Sequence, residues 1–391
     1  MLPMRRFDRP DIETALIERP DDLDAWQVYA DWLQTQGDPW GERVSLSLLR
    51  AQARGTAELR LSKQIAAYDE DHLDALYGKP LAELIRGGEL GRVATLTAPH
   101  GPIVAATLKP PHEIWQWEGT PPGALLTALL DSPAARLLRS LSFGPFGRVW
   151  GISLQPCIDA IAEAGPLESL RELFVGDFDY DDELYNHISF VQVGDVGRLL
   201  PNLPKLRSLR IRGGGLELGA LEHATLERLT IESGGLPAEA VDSLAACELP
   251  QLRRLEVWFG CEEYGGDGNV RQLDRLFAGE GLPRLEHLGL RNSEFEDEIA
   301  AALATSKILA QLESVDLSMG TMHDPGAEAI FDHMENFAHL RSLELADNFI
   351  PDALCELLRE VLGDMVHTDV QDCPDRWGPD DEPHYYTSVG E

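Results

Sequence analysis

Lysine is scarce in this chain, positive charge is scarce, and cysteine does not come in pairs. Only five of the 33 basic residues are Lys; the other 28 are Arg. The five cysteines, Cys157, Cys247, Cys261, Cys355 and Cys373, are odd in number and far apart. That spacing excludes a disulfide framework and a zinc cluster. No apolar run approaches the roughly 20 residues that span a bilayer. The opening residues, Met1 to Asp8, lack the apolar core of a signal peptide, so the expected location is the cytoplasm. The sequence has no G-x-x-x-x-G-K-[ST], no G-x-S-x-G and no H-E-x-x-H. Gly213-Gly214-Gly215 and Gly265-Gly266 lack the Lys and the strand-to-helix context of a phosphate loop and read as turns. The 11 His are scattered, none at metal-ligand spacing from Cys or Glu. These gaps leave no catalytic, cofactor or metal assignment.

What is present is a globular composition, 43% hydrophobic and 26% charged over 391 residues. The formal net charge of −34 is unevenly spread: residues 1–90 carry −6, residues 91–215 carry −2 and residues 216–391 carry −26. A surface of that sign repels nucleic acid and anionic membrane and complements a basic protein.

One phrase recurs: Leu, two variable residues, an aliphatic residue, one variable residue, then an aliphatic or aromatic residue. It appears as Leu138-Leu141-Phe143, Leu170-Leu173-Val175, Leu206-Leu209-Ile211, Leu226-Leu229-Ile231, Leu252-Leu255-Val257, Leu285-Leu288-Leu290, Leu312-Val315-Leu317 and Leu340-Leu343-Leu345. The steps between copies are 32, 36, 20, 26, 33, 27 and 28 residues. The alternating end of each phrase predicts a short strand buried on one face. Amphipathic helices are expected between strands at 238–246, 270–278, 296–304, 325–334 and 352–362. One strand and one helix cannot bury their apolar faces alone, but stacked copies can. The phrase resembles the leucine-rich repeat, and its period resembles the ribonuclease-inhibitor class. The resemblance implies an α/β fold: a curved parallel strand row with outer helices, about eight irregular repeats, spanning 133–368. The departures are specific. The 20-residue step leaves little room for a helix, and the 36-residue step carries an insertion at 176–194. Only the last copy ends in the repeat's Asn, Asn348; the others have Phe146, Phe178, Gly214, Gly234, Gly260, Ser293 or Gly320 there.

Ahead of the repeats, residues 8–54 read as three short helices, 11–18, 23–35 and 42–53. Trp26, Tyr29 and Leu33 fall at helical spacing, and Pro20-Asp21-Asp22 and Gly37 punctuate the ends. Pro20-Asp21-Asp22, Val28-Tyr29-Ala30-Asp31-Trp32-Leu33, Gln36-Gly37-Asp38-Pro39 and Gly41-Glu42 resemble the short bacterial repeat-companion domain. The resemblance implies a small all-α module at 1–55 and no mechanism. Residues 56–132 are expected to form a linker and the solenoid's cap, with a first strand at 103–108 and a first helix at 125–130. The acidic tail 369–391 is expected to run extended past the last repeat, with Trp377, Tyr385 and Tyr386 pinning it over the solenoid's end.

Three candidate sites read better as structure. Asp177-Phe178-Asp179-Tyr180-Asp181-Asp182-Glu183 begins like a calcium loop, but the required Gly is Asp182 and the bidentate Glu falls at Ile188, which leaves a solvated insertion. Asp31 is expected in a structural contact. His112 to Trp117 is expected to pack at the cap. The informative surface is the one that leucine-rich repeats present to partners, the concave strand face. The outward positions there are Phe174, Arg210, Arg212, Arg228, Glu232, Arg254, Glu256, Trp258, His287, Arg291, Asp316 and Glu344. Aromatic and Arg residues are hot-spot types. The expectation is a non-catalytic protein-protein interaction module or adaptor. The alternative is an acidic inhibitor or regulatory subunit of a basic enzyme or toxin. A competing packing reading has Trp258 and Phe259 folded back over 261–268.

Overall fold

The structure, a computed structural model, describes residues 10–111, 116–147, 151–179, 187–377 and 382–390. The calcium-like loop beyond Asp179 and residues 112–115 of the aromatic stretch lie outside these. The chain divides into two compact units, 1–149 with 156–173 and 201–206, and 150–155 with 174–200 and 207–391.

The first unit opens with helices α1 (Pro10–Glu18), α2 (Leu23–Thr35) and α3 (Pro39–Gln52). Asp22 and Asp38 begin the second and third helices. Each carboxylate accepts a hydrogen bond from a first-turn amide, Ala25 at 3.0 Å and Trp40 at 2.9 Å. Trp26, Tyr29, Leu33 and Trp40 are buried, and Tyr29 donates its hydroxyl to Glu13 at 2.8 Å. Asp31 lies on the exposed side of α2, hydrogen-bonded to Gln27. Where the sequence reading placed a linker, helices continue: α4 (Thr56–Asp71), α5 (Leu73–Tyr77), α6 (Lys79–Arg86) and α7 (Leu90–Val93). They are tied back by Arg43 to Asp69 and by the Trp40 indole to the Leu76 carbonyl. An antiparallel pair, β1 (Ala94–Thr97) and β2 (Ala105–Leu108), starts the sheet, one strand earlier than expected. Helix α8 (Pro122–Leu130) leads to β3 (Ser140–Phe143), parallel to β2.

The second unit takes β4 (Ile152–Ser153), which leads into α9 (Gln155–Glu163) of the first unit, and the last two residues of β5 (Glu172–Val175). Its strands β6 (Val191–Asp195) and β8 (Gly214–Glu217) join β4 in a small parallel sheet, with β7 (Ser208–Arg212) between them in sequence. The 20-residue step therefore holds a strand, β8, and no helix. Gly213, at φ +141°, permits this: a Cβ there would lie 2.6 Å from the Val191 carbonyl oxygen. The triple glycine serves close backbone approach.

The main row of this unit is parallel: β7, β9 (Arg228–Glu232), β10 (Arg254–Gly260), β11 (His287–Ser293), β12 (Ser314–Asp316), β13 (Ser342–Glu344) and β14 (Val366–His367). The recurring phrases are in register. Leu209 pairs with Leu229, Leu229 with Leu255, Leu255 with Leu288, Leu288 with Val315 and Val315 with Leu343. Each of these residues is at most 1% exposed, so the alternation predicted from sequence is the burial observed. Helices α10 (Ala238–Ala245), α11 (Asp274–Phe277), α12 (Glu296–Ala304), α13 (Asp324–Asp332), α14 (Met334–Phe337) and α15 (Asp352–Leu362) occupy the connections. The result is a row of stacked strand-and-helix units, as the recurring phrase predicts.

A hairpin, β15 (Asp375–Trp377) with β16 (Glu382–His384), follows the last repeat. The residues after it do not simply extend past that repeat. They double back over the preceding ones.

Asn348 is fully buried. Its amide donates to the carbonyls of Leu317 (2.8 Å), Leu345 (3.2 Å) and Ala346 (3.3 Å), and its oxygen accepts from the Met322 amide at 3.1 Å. It thus satisfies four backbone groups at once. Asn348→Ala is expected to cost about 2–3 kcal/mol by stranding buried carbonyls, measured by chemical denaturation. A cost under about 0.5 kcal/mol would contradict this.

The outward strand face as a candidate protein-binding surface

Within the main row of the second unit, outward side chains sit one strand apart, about 4.8 Å from their lateral neighbours. Arg and acidic residues alternate across that spacing and pair sideways. Three groups result.

The first is centred on Glu232. Arg212 binds its carboxylate at 2.6 Å and Arg210 binds it through two nitrogens, at 2.6 and 3.2 Å. Both guanidiniums also lie over the Phe174 ring, 4.6 Å for Arg210 and 5.5 Å for Arg212. Arg212 further donates to the Phe178 carbonyl. Glu232 and Arg212 are buried, whereas the Arg210 side chain is 43% exposed.

The second is centred on Arg291. It bonds Glu256 at 2.8 Å and Ser318 at 2.9 Å, and reaches Asp316 at 3.3 Å. It also lies 5.4 Å from the centre of the Trp258 ring. Arg254 completes the group with Glu256 at 3.0 Å. Burial alone would raise the Glu256 carboxyl, but the hydrogen bonds from Arg254 and Arg291 outweigh it and hold the group below the usual carboxylate range.

The third is His287. Its Nδ1 shares a 2.7 Å hydrogen bond with the Ser314 hydroxyl. Burial, reinforced by the nearby Arg254 cation, pushes the ring down to about 4. It lines a shallow cavity of about 250 Å³ together with Arg228, Arg253, Arg254, Glu227, Glu286, Glu313 and Ser314. Arg228 is exposed. Glu344 is half-buried, and burial raises its carboxyl.

The expected surface is therefore divided. Phe174, Arg210, Arg228, Arg254, Glu256, His287, Arg291, Asp316 and Glu344 keep some exposure, but most are already paired. Glu232, Arg212 and Trp258 are buried, and this corrects the expectation of an exposed Trp. Trp258 is only 4% exposed, and the cationic Arg291 sits over its ring. Phe259 is buried too, edge-on to Phe295. Sequence reasoning missed Asn292 and Glu296. Asn292, buried, lies one residue ahead of the register at which Asn348 stands, so a search keyed to that register passes over it. Glu296, fully buried at the start of α12, looks in sequence like an ordinary acidic first-turn residue. Burial raises its carboxyl well above the usual range. Among the described residues, no group of three or more His, Cys, Asp or Glu is placed to hold a metal ion, and no helix is long and apolar enough to cross a membrane.

No protein-family model matches the chain, and no curated protein matches it. Among solved structures, the chain is similar to a Bacteroides fragilis protein determined by a structural genomics consortium. The two are 28% identical, with 65% of this chain and 69% of that one covered, at a TM-score of 0.56. Two weaker similarities are to an internalin from Listeria monocytogenes (17% identical, 66% of this chain and 72% of that one, TM-score 0.29) and to the protein of a TLR13–ssRNA13 complex (15% identical, 71% and 32%, TM-score 0.27). At such scores neither carries an argument here.

The unfolded chain protonates a histidine near pH 6.5 and the folded chain protonates His287 only near 4. Stability contributed by the neutral ring is therefore intact above 6.5 and is lost as pH falls toward 4. NMR titration of the His287 ring is expected to give a midpoint near 4. A midpoint near the ordinary histidine value would mean that the ring is not held in this buried pairing.

Proposed function

We propose that the chain is a non-catalytic protein-protein interaction module that binds its partner on the outward strand face of the second unit. The observation that carries this reading is the density of paired Arg and acidic side chains around half-exposed positions, with the Arg210 guanidinium over the Phe174 ring. Such a lattice offers a partner preordered charges, so little side-chain entropy is lost on contact. The residues left to make contact are Phe174, Arg210, Arg228 and Arg254 at one end of the face, and Asp316 and Glu344 at the other. A partner is then expected to present acidic groups to the Arg end and basic groups to the acidic end. The net charge of −34 favours a partner with a basic surface overall. It also keeps open the reading as an acidic inhibitor or regulatory subunit of a basic enzyme or toxin. The cytoplasm is the proposed location. Residues 1–55, which include helices α1 to α3, are proposed as the counterpart of the repeat-companion module, ahead of the repeats.

Affinity purification from the native host, at low and moderate salt, tests this. Wild type is compared with an Arg210→Glu, Arg228→Glu double variant whose unchanged melting temperature is verified. The account expects a partner captured by wild type and reduced at least tenfold in the variant, about 1.4 kcal/mol or more. A partner retained equally by both would contradict the strand-face reading. Steep loss with salt would favour the inhibitor reading.

A further inference from the structure

The residues that follow the closing hairpin run back across the second unit, over the turns that end five successive strands. The Tyr385 ring stacks on His323 at 4.4 Å and meets Phe349 edge-on at 5.2 Å; Tyr386 also meets Phe349. The Ser388 amide donates to the Met319 carbonyl at 3.0 Å. Val389 makes a two-way pairing with the Asn292 side chain, its amide donating at 2.8 Å and its carbonyl accepting at 2.5 Å. The Gly390 carbonyl accepts from Ser189 at 2.6 Å. In order, the segment passes the turns after β13, β12, β11, β10 and β9.

The dimensions fit an extended peptide. Four inter-strand steps of about 4.8 Å cover ~19 Å, and five residue steps of about 3.4 Å cover ~17 Å. The groove is also shaped for this occupant. A Cβ on Gly234 would overlap the Gly390 carbonyl oxygen and the Ser189 hydroxyl. A Cβ on Gly390 would press on Cys261 and Tyr264 at 3.2–3.3 Å, so a side chain there would have to displace them by a few tenths of an ångström. Asn292, Met319 and Asp347 hold left-handed backbone, φ 53°, 70° and 53°, at equivalent register positions. That conformation is uncommon at non-glycine residues, Asn and Asp excepted. Here Met319 presents its carbonyl to the segment and Asn292 its side-chain amide.

We propose that this groove is a peptide-binding channel, that Tyr385–Gly390 is its intramolecular occupant, and that a partner's extended segment of the same chemistry exchanges with it. That chemistry is two aromatics, two hydroxyl-bearing residues, an aliphatic and a glycine. Recognition is mainly through backbone hydrogen bonds, with aromatic anchoring at one end. Tethering gives the resident segment a high effective concentration, so the channel is closed until the segment is outcompeted or released. The channel is separate from the outward strand face, and the proposal does not rest on the function proposed for that face.

The test uses the full chain and a fluorescein-labelled peptide with the sequence of residues 382–390. A Tyr385→Ser, Val389→Pro variant removes the aromatic stack and the amide donated to Asn292. It is expected to keep its melting transition, to show fast hydrogen exchange over 385–390, and to bind the peptide at least tenfold more tightly than wild type. Adding Asn292→Gly, which preserves the left-handed turn, is expected to weaken binding about tenfold. Arg210→Glu is expected to leave it unchanged. Three results would overturn the proposal: no peptide binding by the released variant, binding insensitive to Asn292→Gly, or unchanged exchange over 385–390 in the double variant.

Discussion

The spacing of parallel strands governs the rest of the second unit. At about 4.8 Å between neighbours, an outward charge has another repeat's side chain within hydrogen-bonding reach on either side. An isolated charge there would be partly desolvated without compensation, which favours lateral pairing. Glu232 with Arg210 and Arg212, and Arg291 with Glu256 and Asp316, are two such pairings. The same spacing aligns the buried aliphatic residues in a continuous column from Leu209 to Leu343, so core and surface are set by one geometry.

The turns at the strand ends face a different requirement. There the strand pairing stops and backbone carbonyls and amides need partners. Asn348 meets that need from within the repeat stack, the Ser388 amide of the returning segment meets it at the Met319 carbonyl, and the Asn292 side chain in turn satisfies the backbone of Val389. The strand face is thus held together by charge and the turn row by hydrogen bonds to backbone. The two meet at Arg291, which also reaches the Met319 sulfur at 2.9 Å.

The repeat row was legible because its signal is periodic: every central aliphatic residue of the recurring phrase from Leu206 onward entered the register predicted from spacing. Helices 296–304 and 352–362 were read to the residue, since each is an amphipathic stretch between a turn and the next phrase. The parallel sheet of β4, β6 and β8 was less legible. Its strands are short and glycine-rich, and their pairing depends on residues roughly 20 to 40 positions apart. The helices from 56 to 93 were passed over as linker because α4 buries little, with Ile65 its one fully buried side chain. Trp258 was misjudged for a physical reason: alternation places it outward, but lateral packing under Arg291 buries it. The aromatic anchors of the returning segment, Tyr385 and Tyr386, were legible, but its path back over the strand ends was not, because its backbone partners lie up to 201 residues away in sequence.

The outward charges are preordered by pairing with the neighbouring repeat. A double-mutant cycle on Arg291→Met and Glu256→Gln measures this directly through chemical denaturation of the two single variants and the double variant. A coupling energy above about 1 kcal/mol is expected, as for a partly buried hydrogen-bonded pair. A coupling within about 0.3 kcal/mol of zero would show two independent surface charges and contradict it.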